Sequence, residues 1–464
     1  MVRVRAVYRP SRAFWVHGLI GLFASWTTAG FSQDAVLRNW HQWRGPMATG
    51  EAPLADPPLS WNGVEGTNIR WKVAIPGRGS ATPVVWEDKI FVLAAEPTKQ
   101  DDGQAEVAPP AAEPGGGRRG GGRGGFRQPP PTTPYNFLVI CLDRQTGKVL
   151  WQQTANTALP HEGGHPTNTF ASGSPITDGK HVWASFGSFG IFCYDMDGNF
   201  IWSRDLGDMQ TRNSFGEGAS PALYGNTLVV TWDHEGPDFI TALDALTGET
   251  KWLAEREEPT TWSTPLIVEY EGRPRVVTNG TNRVRCYDLE TGELYWECGG
   301  QKTNPIPCPV SAHDVVYCMS GYQGNAVYAL PLGGQGDMTD TDMVIWSRDD
   351  AGPYVPSPLL YKDRLFFTKS RDNILSCLDA KSGEPIINQE RINNLDGLYA
   401  SPVAAKDRIY LVGRDGQTVV LKFSDQVEVL ATNPLGEGVD ASPVLVGKQL
   451  FLRGAEHLFC IEEG

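Results

Sequence analysis

The side chains best suited to chemistry lie in two short segments. "HEGGHPTNTFASGSP" (161–175) carries His161, Glu162 and His165, and "WDHEGPD" (232–238) carries Asp233, His234 and Glu235. Imidazole nitrogens beside carboxylates suit Zn²⁺ or a similar divalent cation. A metal site on His161, His165 and His234 is therefore one expectation. The other is a pair of structural loops in which Gly163, Gly164 and Pro166 set the shape and the His rings bond backbone carbonyls. The loop reading is preferred, because no sequence feature brings the two segments together. Asn168, Arg212, Asn213, Glu217, Trp262, Asn304, Tyr354 and Tyr399 also stand in loops that lead into apolar runs, where they can contact a ligand or simply solvate a wide opening. No Ser-His-Asp order, nucleotide loop or close carboxylate pair stands out, so no catalytic residue is assigned.

The elements that position these loops follow from an internal repeat. A small residue followed by Pro recurs at Thr82-Pro83, Ser174-Pro175, Ser220-Pro221, Thr264-Pro265, Cys308-Pro309, Ser357-Pro358, Ser401-Pro402 and Ser442-Pro443. From Pro175 the steps are 46, 44, 44, 49, 44 and 41 residues. Each Pro opens a short apolar run, where its missing N–H breaks no ladder. A second half-motif follows, as in Leu142-Asp143 through Thr146-Gly147 to Trp151, with copies ending at Trp202, Trp252 and Trp296. Leu378-Asp379 with Ser382-Gly383 is a copy in which Ile387 replaces the Trp. Asp opening a turn and Gly closing it make a hairpin, so each period supplies four strands, one propeller blade. The last copy, from Ser442, has residues for only three strands. "NIRWKVAIPG" (68–77), with Trp71, precedes the first blade and supplies the fourth.

This repeat resembles that of pyrroloquinoline-quinone (PQQ)-type propellers, in which the Trp packs between blades. Trp71, Trp151, Trp202, Trp252, Trp296 and Trp346 are accordingly expected to dock neighbouring blades. The segments "NWHQWRGP" (39–46), "WSTPLIVEYEGRPRVV" (262–277) and "TNRVRCYDLETGELYWECGG" (281–300) are similar to the PQQ-binding-like repeat proteins abundant in planctomycete-type bacteria. The fold also resembles the propeller lipoprotein of outer-membrane protein assembly. In the quinoprotein dehydrogenases the resemblance implies two adjacent cysteines over the quinone, a stacking Trp and a Ca²⁺ held by Glu, Asn and Asp. The chain has no Cys-Cys pair. Neither PQQ nor a divalent metal is expected as a resident cofactor.

Cys141, Cys193, Cys286, Cys377 and Cys460 occupy one column, two residues before the repeated Asp or its counterpart, and Ala242 and Ala329 fill it elsewhere. A column that accepts Cys or Ala wants a small buried residue. Blade-to-blade spacing exceeds disulfide reach. Cys308 and Cys318 flank a turn at His313-Asp314 and are either free or bridged across the hairpin.

Charge and composition complete the picture. Arg3, Arg5, Arg9 and Arg12 precede an apolar stretch from Val16 to Ala29, the pattern of an export signal. Removing those arginines takes the formal charge from −14 to −18, which excludes wholesale nucleic-acid binding. "PGGGRRGGGRGGFRQPPP" is too poor in apolar residues to pack.

The expected molecule is an all-β, eight-bladed propeller of four-stranded antiparallel blades, its last blade closed by the N-terminal strand. Residues 1–33 form a signal peptide, 34–67 an N-terminal extension and 68–464 the propeller, with a disordered insertion at 96–134 in the first blade. The expected role is a monomeric, exported binding or scaffold module of the periplasm or an equivalent envelope compartment. It has no transmembrane segment after signal removal, no nucleic-acid partner, and a protein, peptide or glycan partner. The alternative is a quinoprotein-like or metal-dependent enzyme with its site at the mouth of the central channel.

Overall fold

The computed structural model describes residues 33–98, 128–369 and 372–464. All but the last residue of the expected signal peptide and most of the expected insertion lie outside them. Eight antiparallel sheets follow one another around a ring, one per repeat, and blade 2 is typical. Its strands, from the axis outward, are Ile176–Thr177, His181–Ser185, Ile191–Asp195 and Phe200–Arg204. The third strand is nearly all buried because blades cover both its faces. Outer strands such as Thr250–Glu255 alternate between half-buried and exposed. A continuous apolar run and a two-residue alternation are what those two positions require. The core is spread over the seams, as where Trp183, Trp202, Leu228 and Trp232 of blades 2 and 3 pack together.

The last blade takes its fourth strand from the other end of the chain. Ile69–Ala74 pairs antiparallel with His457–Glu462, and Trp71 faces Cys460. The same pairing recurs as Cys141 with Trp151, Cys193 with Trp202, Ala242 with Trp252, Cys286 with Trp296 and Ala329 with Trp346. A small residue is needed there because a large aromatic ring stands directly opposite.

Each of these rings reaches the next blade. Trp71 Nε1 donates to Arg144 O at 3.0 Å, Trp151 to Met196 O, Trp202 to Ala245 O, Trp252 to Leu289 O, Trp296 to Leu332 O and Trp346 to Ala380 O. The acceptors lie in the Asp-x-x-Thr-Gly turns or their equivalents. In the first turn Asp143 Oδ1 accepts from the N–H groups of Gln145 and Thr146 and from the Thr146 hydroxyl. Gly147 closes it at φ +72°, and a Cβ there would lie 2.7 Å from the Trp71 ring. Gly is required twice over, for its backbone angle and for the flat contact.

Two differences from the expected pattern have local causes. Blade 4 gains a fifth strand, Gly336–Asp337, parallel to Leu294–Gly299. Blade 5 lacks the tight turn before Trp346, and its longer connection folds back to bury Leu332 and Met338 against Trp296. In blade 1, pairing continues to Pro97 opposite Tyr135, so Glu96 and Pro97 belong to the sheet rather than to the insertion.

The N-terminal extension crosses one end of the ring. Val85 of blade 1 pairs with Trp40, and Thr177 of blade 2 donates to His41 O. On the far side Leu360 donates to Thr49 O and Ala404 to Gly50 O. Arg44 is buried between, giving Nη2 to Pro358 O and Pro402 O at 2.8 Å each. Asn433 then meets residues 59–61 on the rim of blade 7, which has no docking Trp.

Trp71→Ala should lower the urea midpoint by an amount equivalent to about 2–3 kcal/mol, through lost ring burial and an orphaned carbonyl. Gly147→Ala should cost about 1–2 kcal/mol through the same contact. Unfolding followed by intrinsic fluorescence and circular dichroism checks both, and wild-type midpoints would refute the seam.

Candidate functional site

The innermost strands leave one edge facing the axis, and backbone N–H groups along such an edge need partners. The Ser/Thr-Pro column supplies them. Thr82 N donates to Ser174 Oγ, Ser174 N to Ser220 Oγ, Ser220 N to Thr264 Oγ1, and Thr264 N to Cys308 Sγ, at 2.8–3.2 Å. Cys308 N donates to Ser357 Oγ, Ser357 N to Ser401 Oγ, Ser401 N to Ser442 Oγ, and Ser442 N returns to Thr82 Oγ1 at 3.2 Å. Eight blades are thus joined in one closed cycle. The following Pro has no N–H to satisfy, which is why the dipeptide recurs.

Above this cycle lies a cavity of about 340 Å³, within the range of small-molecule sites. Its wall is built from the loops that lead into the inner strands and from the connection between the second and third strands of blade 5, which carries Tyr322. Phe215, Trp262, Tyr322, Tyr354 and Tyr399 contribute aromatic rings, and Trp43 of the extension forms the floor. Trp43 Nε1 donates to Cys308 Sγ at 3.1 Å, tying the floor to the cycle. Trp262 is fixed by a 2.7 Å bond from Nε1 to Gly216 O, and Tyr322 stacks on Tyr354 with centroids 4.8 Å apart. Tyr399 lies under the Arg414 guanidinium, which also pairs with Asp440. Among the described residues the lining carries the carboxyl groups of Glu217 and Asp440 and the imidazole of His165, with no Lys or Arg.

Glu217 borders both this cavity and a smaller one of about 50 Å³ beside it. Its carboxylate accepts from Ser188 N at 2.8 Å and Ser188 Oγ at 2.5 Å. A Cβ on Gly187 would fall 1.5 Å from its Oε2, so that glycine makes room for the group. Desolvation pushes the Glu217 pKa up to about 7 despite the Ser188 bonds that favour the carboxylate.

The histidines are not gathered. His161 Nε2 meets Met209 O, His165 Nδ1 meets the Thr167 hydroxyl, and His234 accepts from Gln210 N at Nδ1 while Nε2 meets Pro237 O. Among the described residues, the group whose His and carboxylate ligand atoms converge within 4.8 Å is instead Glu437, Glu456 and His457. There Glu437 already accepts from the backbone and ring of His457.

The other loop candidates divide into wall and scaffold. Asn168, Glu217, Trp262, Tyr354 and Tyr399 line the cavity together with His165. Asn168 spends both amide hydrogens on Phe215 O and Glu217 O. Glu162 caps Thr211, and Glu235 caps Thr260. Asp233 is buried in a two-pronged pair with Arg256 and accepts from Thr261. Arg212 is half-buried with its N–H on Thr260 Oγ1, Asn213 is exposed at φ +53°, and Asn304 is buried at φ +57°. The sequence reading passed over Trp43, Phe215, Tyr322 and Asp440. Trp43 carried a signal in its density of aromatic and basic neighbours, but the others look like ordinary loop residues.

All eight cysteines are free thiols. Cys308 stands in the hydroxyl column while Cys318 is buried in a blade core, so they do not face each other. Burial pushes the thiols of Cys141, Cys193, Cys286 and Cys377 up to about 12, leaving them protonated and inert at neutral pH.

Ser220→Ala removes the acceptor of Ser174 N–H and should cost about 1–3 kcal/mol in chemical unfolding, whereas an exposed serine such as Ser203 changed to Ala should cost little. Alkylation of the unfolded chain without reductant should add eight groups by intact mass; six additions would reveal a bridge.

A family model described as outer membrane protein assembly factor BamB matches residues 136–389. Among solved structures, BamB from Moraxella catarrhalis superposes with a TM-score of 0.53 at 16% identity, covering 70% of this chain and 93% of that one. Quinohemoprotein alcohol dehydrogenase from Comamonas testosteroni superposes with a TM-score of 0.60 at 11% identity, covering 92% of this chain and 83% of that one. A search of the curated proteins finds no match. Identities this low carry the fold and not the activity. With its repeats, its eight-fold ring and a family match over more than half its length, the chain belongs to the BamB-like PQQ-repeat propeller family.

Proposed function

We propose that this protein is an exported binding or scaffold module of the cell envelope, which receives a protein, peptide or glycan partner at the loop face of the ring. The observation that carries this reading is the blind cavity. Loops from several blades surround its mouth, and the chain's own extension closes the other end with Trp43. No helix of the described residues is long and apolar enough to cross a membrane.

Three of the loop groups suited to acid–base or metal chemistry are already engaged. His234 uses both ring nitrogens, Asp233 neutralises Arg256, and Glu162 holds Thr211. PQQ is a polycarboxylate and needs cations around it. Among the described residues the cavity lining offers two carboxyl groups and no Lys or Arg, and the chain has no vicinal cysteine pair. These residues do not fit the quinone.

Equilibration with PQQ and Ca²⁺, and separately with Zn²⁺, followed by desalting, tests the reading. Retained quinone absorbance, metal content and dye-linked alcohol oxidation are measured. Background values are expected in all three. Stoichiometric quinone with turnover would make the protein an enzyme and end the binding-module reading.

A further inference from the structure

We propose that the central cavity accepts an organic cation, an alkylammonium or guanidinium group either free or carried on a partner's side chain, held among its aromatic rings with Glu217 as counter-ion. The inference rests on the binding-module reading and names the chemistry of its ligand.

Three observations converge. First, Phe215, Trp262, Tyr322, Tyr354 and Tyr399 enclose the cavity, and ring faces attract cations through their quadrupoles. Second, among the described residues the cavity lining carries the carboxyl groups of Glu217 and Asp440 and no Lys or Arg. Asp440 is already paired with Arg414, which leaves Glu217 as the carboxyl of the lining to which no Lys or Arg of the described residues is bonded. Third, Glu217 is built in place. Gly187 leaves the room, Ser188 gives two donors, and Trp262 packs against the following residue, 3.3 Å from where a Gly218 Cβ would stand. A neutral sugar would instead want free planar amides or carboxylates, and both amide hydrogens of Asn168 and both oxygens of Asp440 are spent.

Proton linkage gives the site a signature. The groups facing Glu217 are Ser188, His161 and Glu162, with His165 and Asp440 elsewhere on the cavity wall. Burial holds the Glu217 pKa up at about 7. A cation stabilises the carboxylate, so its binding expels a proton below that pH. Affinity should rise with pH through 6–7 and level off above, being about tenfold weaker at pH 6 than on the plateau.

The test titrates the full chain with choline and with a short arginine peptide amide at pH 6 and pH 8, read by tryptophan fluorescence and calorimetry. N-acetylglucosamine and citrate serve as controls. Saturable binding of choline alone points to a free cation, and binding of the peptide alone to a partner's side chain. Trp262→Ala and Tyr354→Ala should each weaken binding at least tenfold, and Glu217→Gln should remove the pH dependence. Should that variant fail to fold, proton release by the native chain in two buffers of different ionisation enthalpy gives the same readout. No saturable response to either cation, or equal affinity at pH 6 and pH 8, overturns the proposal. Binding of the sugar or citrate without the cations would overturn it and leave the binding module standing, whereas a quinone-loaded, alcohol-oxidising protein would overturn both.

Discussion

The contact between a tryptophan on one blade and the glycine-closed turn on the next sets the geometry of the whole ring. An isolated four-stranded sheet would expose both faces, and only stacking against neighbours buries its third strand. The ring of Trp71, like its counterparts, lies flat against Gly147 and donates to a turn carbonyl, so it fixes both the separation and the rotation of adjacent blades. Blade 6 has Ile387 at this position and blade 7 has Ala431. The extension, through residues 59–63, packs on the rim of blade 7, where the repeat itself is weakest.

Closure at the outer seam has an inner counterpart in the cycle of hydroxyl and thiol acceptors. A ring of eight sheets cannot bring its inner edges into contact, so a space on the axis follows from the blade number. The hydroxyls bridge from edge to edge and leave that space polar at its base. The extension then seals one end, with Arg44 giving one nitrogen to the carbonyls of blades 6 and 7 while burial lowers its pKa to about 10. What remains is a pocket lined by the loops, with Trp43 of the extension against it. Its aromatic wall comes from connections whose sequences differ blade by blade, which is where a repeat protein can acquire specificity.

The loops that carry this wall are held by buried charge. Arg256 bonds Asp233, Thr278 and Tyr287, and the adjacent Glu258 pairs with Arg285 while accepting from the backbone of Asn282 and Arg283. Desolvated charges must be paired to be tolerated, and this network consumes residues that might otherwise act on a substrate. Glu217 differs, since hydroxyl and amide donors hold it but no Lys or Arg side chain of the described residues is bonded to it.

The repeat made the architecture legible in the linear chain. Proline at strand starts, Asp and Gly at turns, and Trp at fixed spacing each act locally, so their periodicity counted eight blades and assigned the strand around Trp71 to the last one. The small residue two places before each Asp was equally readable, because facing positions on adjacent strands are set by hairpin register. Assignments across loops were not readable. Two segments rich in His and acid looked alike in composition, yet His234 is held by Pro237 of its own loop and Gln210 of the preceding one while His165 faces the cavity. The small residues before each Pro were visible only as a repeat and proved to be links between blades. Trp43 lies hundreds of residues from Cys308 and touches it only because the ring closes. Local sequence rules specify turns, strands and the blade they build. Which side chains meet on the axis depends on eight separate loops converging, and that is decided only when the ring is complete.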